Sequence, residues 1–213
     1  MEYKNIRLCV NALVEYLQYA QSPIVVAVSG GSCSGKTYFS QQLACALLQK
    51  DIMSIVMPLD SYFKDVDDNT LPRDQSGRCI FDSINSYHTR EFIADIDSLL
   101  CGGTVCIPQY DIYLNKRIMH HEKNCQSANI IIAEGLFVTT ILQTFPRDII
   151  NIFIDVSVQI LLQRRIRRDT KKYGVSAQVV RERFKSDVVS VYEEKIKLQK
   201  DDAYIIVHNE YNQ

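Results

Sequence analysis

The chain has 213 residues, a length that fits one domain able to bury a full core without disulfides or a structural metal. Hydrophobic residues make up 46% and charged residues 23%, the composition of an ordinary soluble globular protein. The 24 Lys+Arg and 25 Asp+Glu leave a net charge of -1, which excludes a basic nucleic-acid wrapper and a polybasic membrane binder as whole-protein descriptions.

No apolar run approaches the roughly 18 residues of a membrane span. Met1-Glu2-Tyr3-Lys4 opens no secretory signal, so a cytoplasmic location is expected. The cysteines (Cys9, Cys33, Cys45, Cys79, Cys101, Cys106, Cys125) are irregularly spaced and form no C-x-x-C pair, which predicts reduced thiols. His88, His120, His121 and His208 have no metal-ligand spacing. Adjacent His120 and His121 would point apart on a strand and do not face each other on a helix.

In chain order, Leu8, Leu13, Val14 and Leu17 predict an amphipathic helix ending before Pro23, packed on the sheet. Residues 24–29 read as a buried strand, 36–48 as a helix and 52–59 as a second strand. Residues 61–89 are polar and turn-rich, a long loop of the kind that is usually functional or disordered. Phe92, Ile93, Ile96, Leu99 and Leu100 mark a helix, and residues 105–107 a short strand. Residues 129–134 and 149–155 read as buried strands. Val158, Leu162 and Ile166, four apart, give a helix with one apolar stripe. A long charged helix over 177–200 and a last strand over 204–207 close the chain. The alternation argues for an α/β domain with a parallel sheet.

The first buried strand runs into Gly30-Gly31-Ser32-Cys33-Ser34-Gly35-Lys36-Thr37, which fits the P-loop pattern G-x-x-x-x-G-K-[ST]. Glycines let the backbone curl its N–H groups onto phosphate. Lys36 reaches the β/γ-phosphates, the Thr37 hydroxyl can ligate Mg²⁺, and the following helix presents its positive end. A chance match in a chain this long is on the order of one in a hundred. The pattern therefore predicts nucleoside triphosphate binding.

Three classes share that loop: small-molecule kinases, GTPase switches, and motor or transporter ATPases. The nearest approach to the GTPase motif N-K-x-D is Asn115-Lys116-Arg117-Ile118, which lacks the aspartate, and no L-S-G-G-Q-like stretch occurs. A kinase needs a group to take the acceptor's proton. Asp60, at the end of the second strand, lies where ligands gather in open α/β sheets. Glu134 ends another buried strand, before Gly135, where an acid can hold Mg²⁺.

With these residues the sequence resembles the uridine–cytidine kinase family, within the phosphoribulokinase-like P-loop kinases, from about residue 24 to residue 209. Beyond the P-loop, the landmarks are Asp60-Ser61-Tyr62-Phe63, Phe81-Asp82, Pro108-Gln109-Tyr110-Asp111 with Arg117, Glu134-Gly135, and Arg164-Arg165-Ile166-Arg167-Arg168-Asp169. The resemblance implies a P-loop NTPase fold: a central parallel sheet of about five strands flanked by helices, with an arginine-bearing lid over about 158–176. The whole of 1–213 is expected to be one kinase domain, with 1–22 as an N-terminal helical extension.

The resemblance also implies ATP and Mg²⁺, with Asp60 as general base for a nucleoside 5′-hydroxyl and Thr37 and Glu134 serving the metal. Asp82 would bond ribose hydroxyls. Tyr110 would line the nucleoside pocket with Arg117 nearby, and Arg165 and Arg168 would close over the phosphates. Their i, i+3 spacing independently puts both on one helix face. Phe63 falls where the family has a tyrosine on the pyrimidine, and Asn115 where it has a base-reading histidine. Tyr173-Gly174-Val175 stands for the lid's Arg-Gly-Arg. The expected acceptor is uridine or cytidine; pantothenate, nicotinamide riboside or a sugar is the alternative among kinases of this architecture. A catalytically weak nucleotide-binding regulator is the non-enzymatic alternative. The expected partner is the small-molecule acceptor, without nucleic acid or membrane. Similar kinases include dimers and tetramers, which leaves a homo-oligomer open.

Overall fold

The computed structural model describes residues 1–20, 22–126 and 128–210, of which 119–126 are described by backbone alone. The expectations for His120, His121 and Cys125 therefore lie outside the described side chains. In chain order the elements are β1 (Glu2–Tyr3), α1 (Ile6–Leu17), β2 (Ile24–Gly30), α2 (Lys36–Leu48), β3 (Ser54–Pro58), α3 (Thr89–Leu100), β4 (Thr104–Asp111), β5 (Lys116–Gln126), β6 (Ile130–Glu134), α4 (Val138–Leu142), β7 (Ile149–Asp155), α5 (Val158–Tyr173), α6 (Ala177–Arg183) and β8 (Ile205–His208).

The central sheet has six strands rather than about five, in the order β1-β8-β7-β2-β6-β3, all parallel. The added edge strand is two residues long, too short to show as a hydrophobic run. β2 and β6 are buried on both faces, which is why they read as unbroken apolar runs. In register, Val28 lies beside Glu134 and Glu134 beside Pro58, so β6 and β3 finish level and β2 runs on to Gly30 at the same edge. Ligands gather at that edge in open α/β sheets.

The N-terminal segment is part of the fold rather than an appendage. Asn5 caps α1 by accepting from Leu8 N, and Ile6, Cys9, Val10, Leu13, Val14 and Leu17 are buried. Leu8 is half exposed and does not belong to the packed stripe.

Two other expectations are corrected. The short strand at 105–107 is the middle of β4, which pairs antiparallel with β5 in a hairpin separate from the main sheet. On α5 the buried residue is Leu161, while Val158, Leu162 and Ile166 are only partly covered. The long helix over 177–200 is continuous but not uniformly α. Its buried residues Val180, Phe184, Val188, Tyr192 and Ile196 recur every fourth position, wider than 3.6, and π turns at Phe184–Val188 and Tyr192–Ile196 absorb the drift.

Among the described residues, no helix is long and apolar enough to cross a membrane, and no group of three or more His, Cys, Asp or Glu could hold a metal ion. The described cysteines are free thiols.

Candidate active site

β2 ends in the phosphate loop. Gly30 at φ 146°, Cys33 at φ 66° and Gly35 at φ 105° bend the chain from strand to helix. A Cβ on Gly30 would lie 2.6 Å from Ile154 O, so only glycine lets the loop leave the strand this close to β7. Lys36, at the start of α2, is buried, and its Nζ donates to Gly31 O at 2.9 Å, which holds the ammonium over the loop.

The loop is braced from behind by residues that the motif does not contain. Arg164 donates to Cys33 O (3.5 Å), Ser34 O (3.3 Å) and Asn209 O (2.8 Å), and Asn209 Nδ2 donates to Ser34 O at 2.8 Å. These donors satisfy carbonyls that face away from any bound anion. Arg164 lies in the arginine run, but its place is under the loop rather than over it. Leu161 and Tyr192 pack on Gly31. The first half of α5 is thus anchored to the loop. Nothing in the spacing of the arginines separates Arg164 from its neighbours, and Asn209 carried no signal at all.

Thr37 donates to Glu134 Oε1 at 2.9 Å. Glu134 is buried, and burial pushes its pKa up to about 7; Lys36 pulls it down, Asp60 pushes it up and the Thr37 bond pulls it down. Gly135 follows, and a Cβ there would meet Leu59 Cβ at 2.5 Å. That close approach brings the turn after β3, Leu59–Tyr62, against the end of β6.

Asp60 sits in this turn. Its side chain is open to solvent, yet protein encloses it as at the base of a cleft. The enclosure raises its pKa; Lys36 pulls it down, Asp82 pushes it up and Arg168 pulls it down. Solvent access keeps the rise below what full burial would give. Asp82 is likewise raised by burial, against the pull of Arg165, Arg168 and Lys36, with Asp187 adding to the rise. Lys36, Asp60, Asp82, Arg165 and Arg168, widely separated in sequence, therefore share one electrostatic neighbourhood. Asp169 holds the two arginines, 3.5 Å from Arg165 Nε and 2.7 Å from Arg168 Nε.

Beside the carboxylates lies an aromatic cluster. Phe63 stacks on Tyr87 (centroids 4.3 Å, 23°), meets Phe81 edge-on (5.5 Å, 90°) and lies against Tyr110 (5.4 Å, 52°). The Tyr110 hydroxyl donates to Lys64 O at 3.3 Å. Phe63 and Tyr110, both expected to bind the acceptor, are thus in contact, and Phe81, the neighbour of Asp82, packs on the same ring.

Two expected acceptor residues lie further out. Asn115 has φ 50° and closes the β4–β5 turn, a left-handed position asparagine tolerates better than most residues, and its carbonyl accepts from Val66 N at 2.8 Å. The Arg117 guanidinium is forked onto Glu91 (2.9 and 3.0 Å) and lies over the Tyr62 ring, bracing the hairpin to α3. A cavity of about 480 Å³ lined by Asp65, Asp67, Asp68, Asn69, His88 and Arg117 flanks the site, and none of the phosphate-side residues lines it.

At the hairpin tip, the Tyr113 hydroxyl donates to Lys172 O at 3.0 Å, and its ring meets Tyr173 at 5.6 Å. The acceptor-side hairpin therefore touches the end of α5.

Comparison with known proteins agrees with this geometry. The model of the phosphoribulokinase/uridine kinase family matches residues 25–212. The chain is 32% identical over 187 residues to the uridine kinase of Ligilactobacillus salivarius, covering 87% of this chain and 84% of that one. It is 29% identical over 187 residues to the uridine kinase of Leuconostoc citreum, covering 87% of each. Among solved structures, the D-glycerate 3-kinase of Cryptococcus neoformans superposes with a TM-score of 0.62 at 13% identity, over 88% of this chain and 87% of that one, a likeness of fold alone.

Proposed function

Because this chain belongs to the phosphoribulokinase/uridine kinase family and is a small-molecule P-loop kinase, we propose that it transfers the γ-phosphoryl group of ATP to the 5′-hydroxyl of uridine or cytidine. The observation that carries this reading is the meeting of Lys36, Asp60 and Asp82 beside the Phe63–Tyr110 aromatic cluster: an anion site, a proton acceptor and a hydroxyl-binding carboxylate next to flat apolar surface.

In this reading the loop from Gly30 to Thr37 cradles the phosphates. Lys36 moves from Gly31 O to the β/γ-phosphates. Asp82 accepts hydrogen bonds from ribose hydroxyls, and the aromatic cluster receives the base. Asp60 takes the proton of the acceptor hydroxyl as its oxygen bonds to the γ-phosphorus and the bond to the bridging oxygen of ADP breaks. Lys36, Arg165 and Arg168 neutralise the charge spread over the transferring group. Thr37 and Glu134 are adjacent hard oxygen donors that would hold Mg²⁺, which would supply further charge neutralisation there. Residues 158–176 act as the lid, and its moving part begins at Arg165, since Leu161 and Arg164 are tied to the loop.

A second reading, a kinase of the same architecture for another acceptor such as pantothenate, nicotinamide riboside or a sugar, is favoured by the polar inventory of the cluster. Phe63 has no hydroxyl, the Tyr110 hydroxyl is engaged with Lys64 O, and Asn115 is fixed at the hairpin turn. Coupled ADP release with ATP and Mg²⁺ across a panel of nucleosides, pantothenate and sugars separates the two. Acceptor-dependent turnover with uridine or cytidine is expected. Turnover with a non-nucleoside alone overturns the nucleoside assignment and establishes the second reading.

A further inference from the structure

Tyr87 is 2% exposed, and its hydroxyl is buried with no hydrogen-bond partner among the described residues. Its position is well determined. Lys64 N donates to Ser86 O (2.9 Å) and His88 N to Tyr62 O (2.8 Å), and Phe63 and Tyr87 form an antiparallel bridge. This two-stranded tie fixes Tyr87 alongside the turn that carries Asp60. The ring is held against the face of Phe63, and Phe137 meets it edge-on at 6.3 Å.

A buried hydroxyl left without a partner is a net penalty, and a phenylalanine in the same ring position would avoid it. The hydroxyl is therefore explained by a state of the protein in which it finds a partner. Burial holds the phenol well above its ordinary pKa, and the charges that bear on it, Asp60 most strongly, then Asp82 and Glu134, are all carboxylates that raise it further, so the hydroxyl keeps its proton and has one to donate. Glu134 already accepts from Thr37, and the cation that acts most strongly on Asp82 is Arg165. Asp60 accepts no hydrogen bond from any described residue.

We propose that Tyr87 is a positioning residue for the phosphoryl-transfer step: its hydroxyl donates to the Asp60 carboxylate once nucleotide and acceptor fill the cleft. One carboxylate oxygen is then fixed by Tyr87 and the other is left to face the acceptor's proton. This gives Asp60, an otherwise unheld side chain on a single turn, the orientation a proton acceptor needs.

The inference deepens the kinase reading and is tested by ratios of variant to wild-type rate. Wild-type inactivity toward uridine and cytidine would defeat that acceptor assignment alone; the comparison then runs on whichever acceptor of the panel serves, or on slow ATP hydrolysis with water as acceptor. Tyr87→Phe, Asp60→Asn and the double variant are compared for kcat, KM for ATP and Tm without ligands. Tyr87→Phe is expected to lower kcat about tenfold, the equivalent of one hydrogen bond, with KM for ATP within about twofold. Its Tm should be unchanged or higher, since only an unpaired hydroxyl is lost. The double variant should be no slower than Asp60→Asn, because the two residues act as a unit. Undiminished kcat in Tyr87→Phe, a lowered Tm that accounts for the loss, or losses that multiply in the double variant would each overturn the proposal.

Discussion

Thr37 and Glu134 stand 97 residues apart in sequence and meet through a 2.9 Å hydrogen bond from the threonine hydroxyl to Oε1. Register explains the meeting: β2 and β6 pair in parallel with Val28 beside Glu134, and β2 runs only two residues further before the phosphate loop, so the first turn after that loop comes back to the last residue of β6. The same placement buries a carboxylate where the proposed function puts Mg²⁺. Glu134 titrates at about 7 in the folded chain against 4.5 for the free side chain. An acid raised in this way leaves the fold unaffected below about 4.5. It destabilises the fold progressively as pH rises to about 7, and by a constant amount above that. The penalty at pH 8 is on the order of 3 kcal/mol. Glu134→Gln should therefore raise Tm in thermal melts at pH 8 without ligands, make little difference at pH 4, and abolish Mg²⁺-dependent activity. A lower Tm at pH 8 would mean that the carboxylate is held by the fold rather than kept for a cation.

Arg164 separates two roles that the arginine run leaves merged. Its guanidinium donates to carbonyls at positions 33, 34 and 209 under the phosphate loop. Arg164→Ala strands those acceptors, at about 1–3 kcal/mol. It should lower Tm by several degrees and weaken ATP binding about tenfold, measured by calorimetry. Arg168→Ala, at an exposed position beside Asp169, should leave Tm within a degree or two while lowering kcat. An Arg164 variant with normal Tm would place that residue in the lid instead.

Tyr113 and Tyr173 bridge the acceptor-side hairpin and the end of α5, with a backbone acceptor at Lys172 completing the contact. An aromatic pair of this kind is worth about 0.5–1.5 kcal/mol. Tyr113→Ala should raise the acceptor KM roughly threefold to tenfold and leave KM for ATP unchanged, because the contact closes the acceptor side only. Steady-state kinetics with each substrate varied in turn reads this out. An equal rise in both constants would show that the contact supports the whole fold.

The phosphate loop, the strands at 24, 130 and 149, and the carboxylates Asp60 and Glu134 were legible in the sequence because each rests on a local signal: an apolar run, a glycine spacing, an acid at a strand end. The hairpin was not. β5 spans Lys116–Gln126 and is mostly polar, so it shows neither alternation nor an apolar run. Its one signal lay in the turn, where Asp111 accepts from the backbone of Tyr113 and Leu114 and Asn115 takes the left-handed position. Arg164, Asn209 and Tyr87 escaped for a different reason. Their roles depend on which carbonyl, carboxylate or ring lies opposite in three dimensions, and residue type does not encode that.

Phosphoryl transfer to a nucleoside hydroxyl, as proposed, turns on Asp60 as the proton acceptor. The most direct measurement is ATP affinity together with uridine-dependent ADP release for wild type and Asp60→Asn, which keeps shape and removes the base. If Asp60 takes the proton, the variant's kcat falls by about a hundredfold or more with ATP affinity within about threefold. Loss of ATP binding in proportion to turnover, or undiminished turnover in the variant, would contradict it.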